Sequence, residues 1–145
     1  MTRSTKLLIG IIIVVIITAV GAFLIFLSPE TVKESVPHER TILIASGTYY
    51  ISAGNAEKFS FSVPYGASNI RVKLNFRVKG GSGNDIKVKI IDSTGHVIYN
   101  SGQISATSTT IRLPEGGTYE LILDNTFSFV SSKEVTLSAR VCYIS

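Results

Sequence analysis

The sequence predicts an all-β domain carried behind a single apolar helix: an antiparallel β-sandwich of about eight strands over residues 41–145. Three observations predict it. Isoleucine, valine, threonine, tyrosine and phenylalanine recur with period two throughout that stretch, so each segment has one apolar face. Clusters of Gly, Pro, Asn, Asp and Ser interrupt the runs every 8–12 residues or so, which is strand-and-turn spacing. Ahead of all this, residues 7–28 read LLIGIIIVVIITAVGAFLIFLS, without a charge or a proline.

The apolar run comes first. As a helix at ~1.5 Å per residue it is roughly 33 Å long, enough to cross a hydrocarbon core of about 30 Å. A bilayer offers the backbone no water to bond, so a spanning run of this kind is helical. Arg3 and Lys6 precede it with no acid, whereas Glu30, Lys33, Glu34, Glu39 and Arg40 follow it mixed. Positive residues remain on the cytoplasmic side, which puts residues 1–6 inside and the C-terminal domain extracellular or luminal. A cleaved signal peptide has a shorter apolar core. Val20-Gly21-Ala22 resembles a cleavage site, but Phe23–Leu27 continues the apolar run past it. The expectation is therefore a retained single-pass anchor at 7–28. Residues 29–40, with Pro29 and Pro37 and many charges, form a solvated stalk.

The strands follow in order. Thr41–Ala45 and Thr48–Ser52 are two short runs, and Phe59–Val63 alternates and stops at Pro64. Ile70, Val72, Leu74, Phe76 and Val78 alternate with Arg71, Lys73, Asn75, Arg77 and Lys79. Gly80–Asn84 reads as a flexible hairpin tip, and Ile86, Val88 and Ile90 as the return strand. Asp92-Ser93-Thr94-Gly95 is a tight hairpin turn into Val97–Tyr99, with Gly95 suited to positive φ. Thr109–Leu113, Tyr119–Leu123 and the phase Val135, Leu137, Ala139, Val141 complete the set. Two antiparallel sheets packed face to face bury all these faces at once.

Cys142 is the only cysteine, so no disulfide braces the domain. It lies on the outward phase of the last strand and reads as inert. Catalytic signals are weak. His38 lies in the stalk and His96 beside a turn, neither with a partner at metal-ligand spacing. Asp92-Ser93-Thr94-Gly95 is similar to the Asp-Thr/Ser-Gly of aspartic proteases, but an extra residue breaks the motif and no second copy exists. Gly80-Gly81-Ser82-Gly83 lacks the Gly-Lys-Ser/Thr ending and following helix of a phosphate loop. Asp85, Asp92 and Asp124 stand in or near turns, the usual place for aspartate. The reading is a non-enzyme with no cofactor, no metal and no nucleic-acid partner.

The end of the domain carries a resemblance. Gly117-Thr118-Tyr119-Glu120-Leu121-Ile122-Leu123-Asp124-Asn125-Thr126-Phe127-Ser128, then Ser132-Lys133-Glu134-Val135, resembles the closing signature of the GOLD (Golgi dynamics) domain. The motif residues are Gly117, Tyr119, Asp124, Asn125, Ser128 and Lys133. Phe59–Val63, Leu74–Phe76 and Asp85–Ile90 fit earlier pieces, and the likeness spans about 48–143. The tryptophan often seen in the middle strand is missing, as is the cysteine pair of luminal cargo receptors. The resemblance implies a β-sandwich used for protein or lipid contacts rather than catalysis. In the cargo receptors the anchor follows the domain; here it precedes it, so that role is not carried over. In this setting Asp124 and Asn125 are expected to lock a turn before they serve any ligand.

One surface feature stands out. With 70–91 read as a hairpin, Arg71, Lys73, Arg77, Lys79, Lys87 and Lys89 share one outward face, offset by Asp85 alone. The plain account is a solvated face, since lysine on edge strands also blocks aggregation. The functional account is an anion-binding face for anionic lipid, acidic glycan or an acidic protein. Two function classes remain: a membrane-anchored interaction module outside the cytoplasm, and a pilin-like structural surface subunit. Pilin-type processing cuts after a small residue behind the basic stretch, whereas Lys6 abuts Leu7 here. The anchored module is the preferred reading.

Overall fold

A computed structural model describes residues 36–81 and 83–145. The expected anchor at 7–28, residues 1–6 and most of the stalk lie outside the described residues. Eight strands follow one another: β1 (Glu39–Ile51), β2 (Ala56–Val63), β3 (Ser68–Lys79), β4 (Ile86–Asp92), β5 (Val97–Ile104), β6 (Ala106–Arg112), β7 (Gly117–Asp124) and β8 (Lys133–Ile144). They form two four-stranded sheets, ordered β1-β8-β3-β6 and β2-β7-β4-β5. Every pairing is antiparallel.

Period-two alternation makes this arrangement. Val72, Leu74 and Phe76 of β3, Val88 and Ile90 of β4, and Leu121 and Leu123 of β7 point inward and are almost completely buried. Each such side chain contributes about 1.5–3 kcal/mol relative to leaving it exposed. The inward phases read from the sequence are the ones that fill the core between the sheets.

Three particulars differ from expectation. Thr41–Ala45 and Thr48–Ile51 are parts of one strand, β1: Ser46 and Gly47 between them pair with Ser138 and Leu137, and a bulge lies within the first run, between Leu43 and Ala45. Ile42 and Ile44 lean on the core before it, Ala45 and Ile51 after it. The extra residue reverses the phase and Ser46-Gly47 reads as a turn, which makes one strand look like two. The ladder also begins earlier than Thr41: Glu39 stands opposite Ile144, and His38 and Ser145 exchange backbone hydrogen bonds at 3.1 and 3.2 Å. Finally, β3 and β4 are not a hairpin. They belong to opposite sheets, and residues 80–85 cross between them.

That crossing corrects the reading of Gly80–Asn84 as a flexible tip. A Cβ on Gly81 (φ 72°) would stand 2.6 Å from the Cβ of Ser131, and one on Gly83 (φ 107°) 2.9 Å from Asp85 Oδ1. Glycine lets the crossing lie close against the start of β8. The Asp92 turn is the expected one. Asp92 Oδ1 accepts from the amides of Thr94 and His96 at 2.9 Å each and from the Thr94 hydroxyl at 2.7 Å, with Gly95 at φ 84°. The Thr94 hydroxyl bond holds the Asp92 carboxyl below its usual range, aided by the two amides and His96 against a smaller opposing effect of burial. Cys142 has outward phase between Thr41 and Arg71, yet it is buried.

Candidate functional site

β7 leaves its sheet at Asp124, and the chain needs eight residues, 125–132, to enter β8 in the other sheet. The polar residues of the closing signature organise this passage. Asp124 is buried, and its Oδ2 accepts from Lys89 Nζ of neighbouring β4 at 2.6 Å. Its Oδ1 accepts from the Thr126 amide at 2.9 Å and from the Thr126 hydroxyl. Burial raises the pKa of this carboxyl, but Lys89 and the two Thr126 donors outweigh it and bring the group from 3.8 down to about 2.

Asn125 is wholly buried and works as a clamp. Its Nδ2 donates to the carbonyls of Ile51 and Ser52 at 3.2 Å and of Ser131 at 3.0 Å. Its backbone amide donates to Asn55, and its carbonyl accepts from Gly54 and Ser128. One residue thus ties the β1–β2 turn to both halves of the β7–β8 loop. Ser128 closes that loop: its hydroxyl donates to the Ser131 carbonyl and accepts from the Ser131 amide. Lys133 is buried, and its Nζ lies 3.0 Å from Asp85 Oδ1 under the glycine crossing. Such a pair costs desolvation and fixes geometry more than it adds stability.

Tyr119 and the glycines lie at the opposite end of β7. The Tyr119 ring is buried and stacks on Phe61 with centroids 5.6 Å apart, while its hydroxyl donates to the Glu115 carbonyl at 2.7 Å. Gly117 has room: an added Cβ would meet only Tyr119 at 3.9 Å. Its neighbour Gly116 has none, because a Cβ there would stand 2.1 Å from the Pro64 carbonyl oxygen. The steric requirement thus belongs to Gly116, one residue before the glycine of the motif.

The six basic residues read as one face are divided between the sheets. Arg71, Lys73, Arg77 and Lys79 stand on the outer face of β1-β8-β3-β6, and Lys87 and Lys89 on β4 of the other sheet. There, two of the three lysines meet carboxylates. Lys89 bonds Asp124, Lys58 reaches Glu120 at 3.4 Å, and Lys87 Nζ sits 5.1 Å above the Phe127 ring. On the β3 sheet cations face cations. Arg71 stands opposite Arg112 of β6, and Lys73 opposite Arg140 of β8. Arg71 has Glu39 at 3.3 Å and Lys79 stands opposite Glu134 of β8; among the described residues Lys73, Arg77, Arg112 and Arg140 form no ion pair. Beside Lys73 and Arg140 lies a shallow depression of about 570 Å³, also lined by Asn75, Ser108, Thr110 and Ser138. Among the described residues no group of three or more His, Cys, Asp or Glu is placed to hold a metal.

A family model for the emp24/gp25L/p24 family/GOLD matches residues 46–143, from β1 to the end of β8. The chain belongs to the GOLD family. Transmembrane emp24 domain-containing protein 1 of Bos taurus is 30% identical over 88 residues, covering 61% of this chain and 37% of that protein. The protein of the same name from Xenopus tropicalis is 27% identical over 115 residues, covering 79% of this chain and 49% of the relative. The chain therefore spans less than half the length of these curated relatives. Among solved structures, one of Bacillus endospore appendages, disulfide-linked pili, overlaps 74% of this chain and 88% of its own at 14% identity and a TM-score of 0.43. So loose a likeness carries no argument for the pilin-like reading.

Within the GOLD domain, two basic residues escaped the sequence reading. Arg112 lies between inward-facing Ile111 and Leu113, and Arg140 between Ala139 and Val141. Their phase was readable, but only the sheet order brings them beside Arg71 and Lys73.

The Asp124 geometry has a pH consequence. Its carboxyl is depressed in the folded state, so its contribution is fully present above the unfolded pKa near 3.8 and is lost as pH falls through about 2. The loss over that window is about 2 kcal/mol. Acid titration of unfolding free energy checks this: Asp124→Asn is expected to flatten the limb between pH 4 and 2, and an unchanged limb would refute the role.

Proposed function

We propose that this chain is a membrane-anchored, non-catalytic GOLD interaction module, held on the outer or luminal side by the apolar run at 7–28 and engaging a macromolecular partner through its sheet surface. The family match over 46–143 is the observation that carries this reading. The use of the signature residues supports it. Asp124, Asn125, Ser128 and Lys133 are all bonded within the domain, so they act as fasteners rather than as reacting groups. The relatives' name, transmembrane emp24 domain-containing protein, agrees with a membrane-integral chain. The basic bias of Arg3 and Lys6 supports an N-terminus on the cytoplasmic side.

Protease accessibility tests the arrangement. With an epitope fused after Ser145, protease added to intact cells is expected to remove the epitope. Removal only after the cytoplasmic face has been opened would reverse the orientation, and release of the full-length chain into the soluble fraction would remove the anchor.

A further inference from the structure

We propose that the outer face of the β1-β8-β3-β6 sheet is a binding site for an acidic polysaccharide, with Lys73, Arg112 and Arg140 as its principal cations. This rests on the reading above of the domain as an interaction module and names its partner's chemistry. Like charges directly opposite each other across an antiparallel pair are destabilising. This face carries two such pairs, Arg71 with Arg112 and Lys73 with Arg140, in adjoining rows. Arg71 and Lys73 are two residues apart on one strand and face the same way, so the four cations form a block. The opposite sheet shows that this chain does match its charges: Lys58 has Glu120, and Lys89 has Asp124. Arg71 has Glu39, but among the described residues Lys73, Arg112 and Arg140 of this block have no carboxylate partner, an arrangement that an anion relieves.

The surroundings choose the kind of anion. The depression beside Lys73 and Arg140 is floored by Asn75, Ser108, Thr110 and Ser138, which offer hydroxyl and amide groups in rows about 4.8 Å apart. Such groups exchange hydrogen bonds with sugar hydroxyls, while the guanidinium forks of Arg112 and Arg140 suit carboxylate or sulfate. The depression itself has no exposed aromatic or aliphatic side chain in its lining; on the same face Leu43, opposite Arg140, and Tyr50, opposite Glu134, are exposed singly and form no continuous apolar patch with it. From Arg71 to Lys79 the basic row on β3 runs about 27 Å, the reach of an extended polymer rather than of one small ion.

The test uses the full chain in neutral-lipid nanodiscs, with heparin hexasaccharide and an oligogalacturonate as probes and calorimetry as readout. Binding is expected at low salt and is expected to weaken as salt screens the face. Lys73→Gln with Arg140→Gln, and Arg112→Gln separately, should each weaken it about tenfold or more. Lys87→Gln, on the other sheet, should leave it unchanged. The melting temperature of the Lys73/Arg140 variant should equal or exceed that of the parent, because the substitutions remove repulsion. No binding of either probe at low salt would overturn the proposal. So would an equal loss with Lys87→Gln, or capture of anionic vesicles with neither glycan bound, which assigns the face to a bilayer. Because the nanodisc fixes the membrane context, these outcomes are independent of the protease result for orientation.

Discussion

Replacing Asn125 with alanine is expected to destabilise the domain by about 3–5 kcal/mol, the larger of the losses available in the signature. The side chain is wholly buried, and its amide satisfies carbonyls on three separate residues, Ile51, Ser52 and Ser131. Removing it leaves the buried Ile51 carbonyl without its donor, at about 1–3 kcal/mol, takes a donor from the part-buried carbonyls of Ser52 and Ser131, and opens a cavity in place of a wholly buried side chain. Two segments also lose their common fastener, so the β1–β2 turn and the β7–β8 loop come loose together. Urea unfolding of the full chain in mild detergent measures the loss. Asn125→Asp is expected to fare no better, because it removes the donors and buries a charge. Unchanged stability combined with lost partner binding would make Asn125 a ligand residue instead of a clamp.

Gly116→Ala is expected to cost about 3 kcal/mol or more, while Gly117→Ala is neutral or slightly stabilising. The contrast is steric. At Gly116 the new methyl meets the backbone of Pro64 and Tyr65, which no side-chain rotation can clear. At Gly117 it meets only the Tyr119 ring at ordinary contact distance, and alanine orders the chain better than glycine within a strand. Thermal unfolding of the two variants side by side reads the difference. Equal effects at the two positions would mean that Pro64 and Gly116 do not approach as described.

The two glycines also show what a sequence makes legible. The family signature draws attention to Gly117 beside Tyr119, but close approach of two backbones 52 residues apart leaves no local trace. Strand phase is local, and the inward faces of β2, β3, β4, β7 and β8 could be read by alternation, whereas β5 past Tyr99, which brings Ile104 against the core, could not. Which strand lies beside which is not local. Ile70–Val78 and Ile86–Ile90 look like the arms of a hairpin, but the short link between Lys79 and Ile86 suffices to cross from sheet to sheet. The error divided the six basic residues and hid Arg112 and Arg140, each a single cation on a strand of its own. Within β1 the bulge at Leu43–Ala45 reverses the phase and Ser46-Gly47 reads as a turn, yet both residues pair with β8 and the strand continues. Lys133 was recognised as part of the signature, whereas its burial against Asp85, 48 residues away, depends on the glycine crossing that covers it.

Amide chemical-shift mapping most directly tests whether the signature holds the fold while the β3 sheet face meets the partner. The full chain in neutral detergent micelles is titrated with heparin hexasaccharide at low salt. The largest shifts are expected at Lys73, Asn75, Thr110, Arg112, Ser138 and Arg140, with Lys87 and Asp124–Lys133 still. Largest shifts within Asp124–Lys133, in a chain whose Asn125→Ala variant retains parental stability, would contradict both halves of that claim.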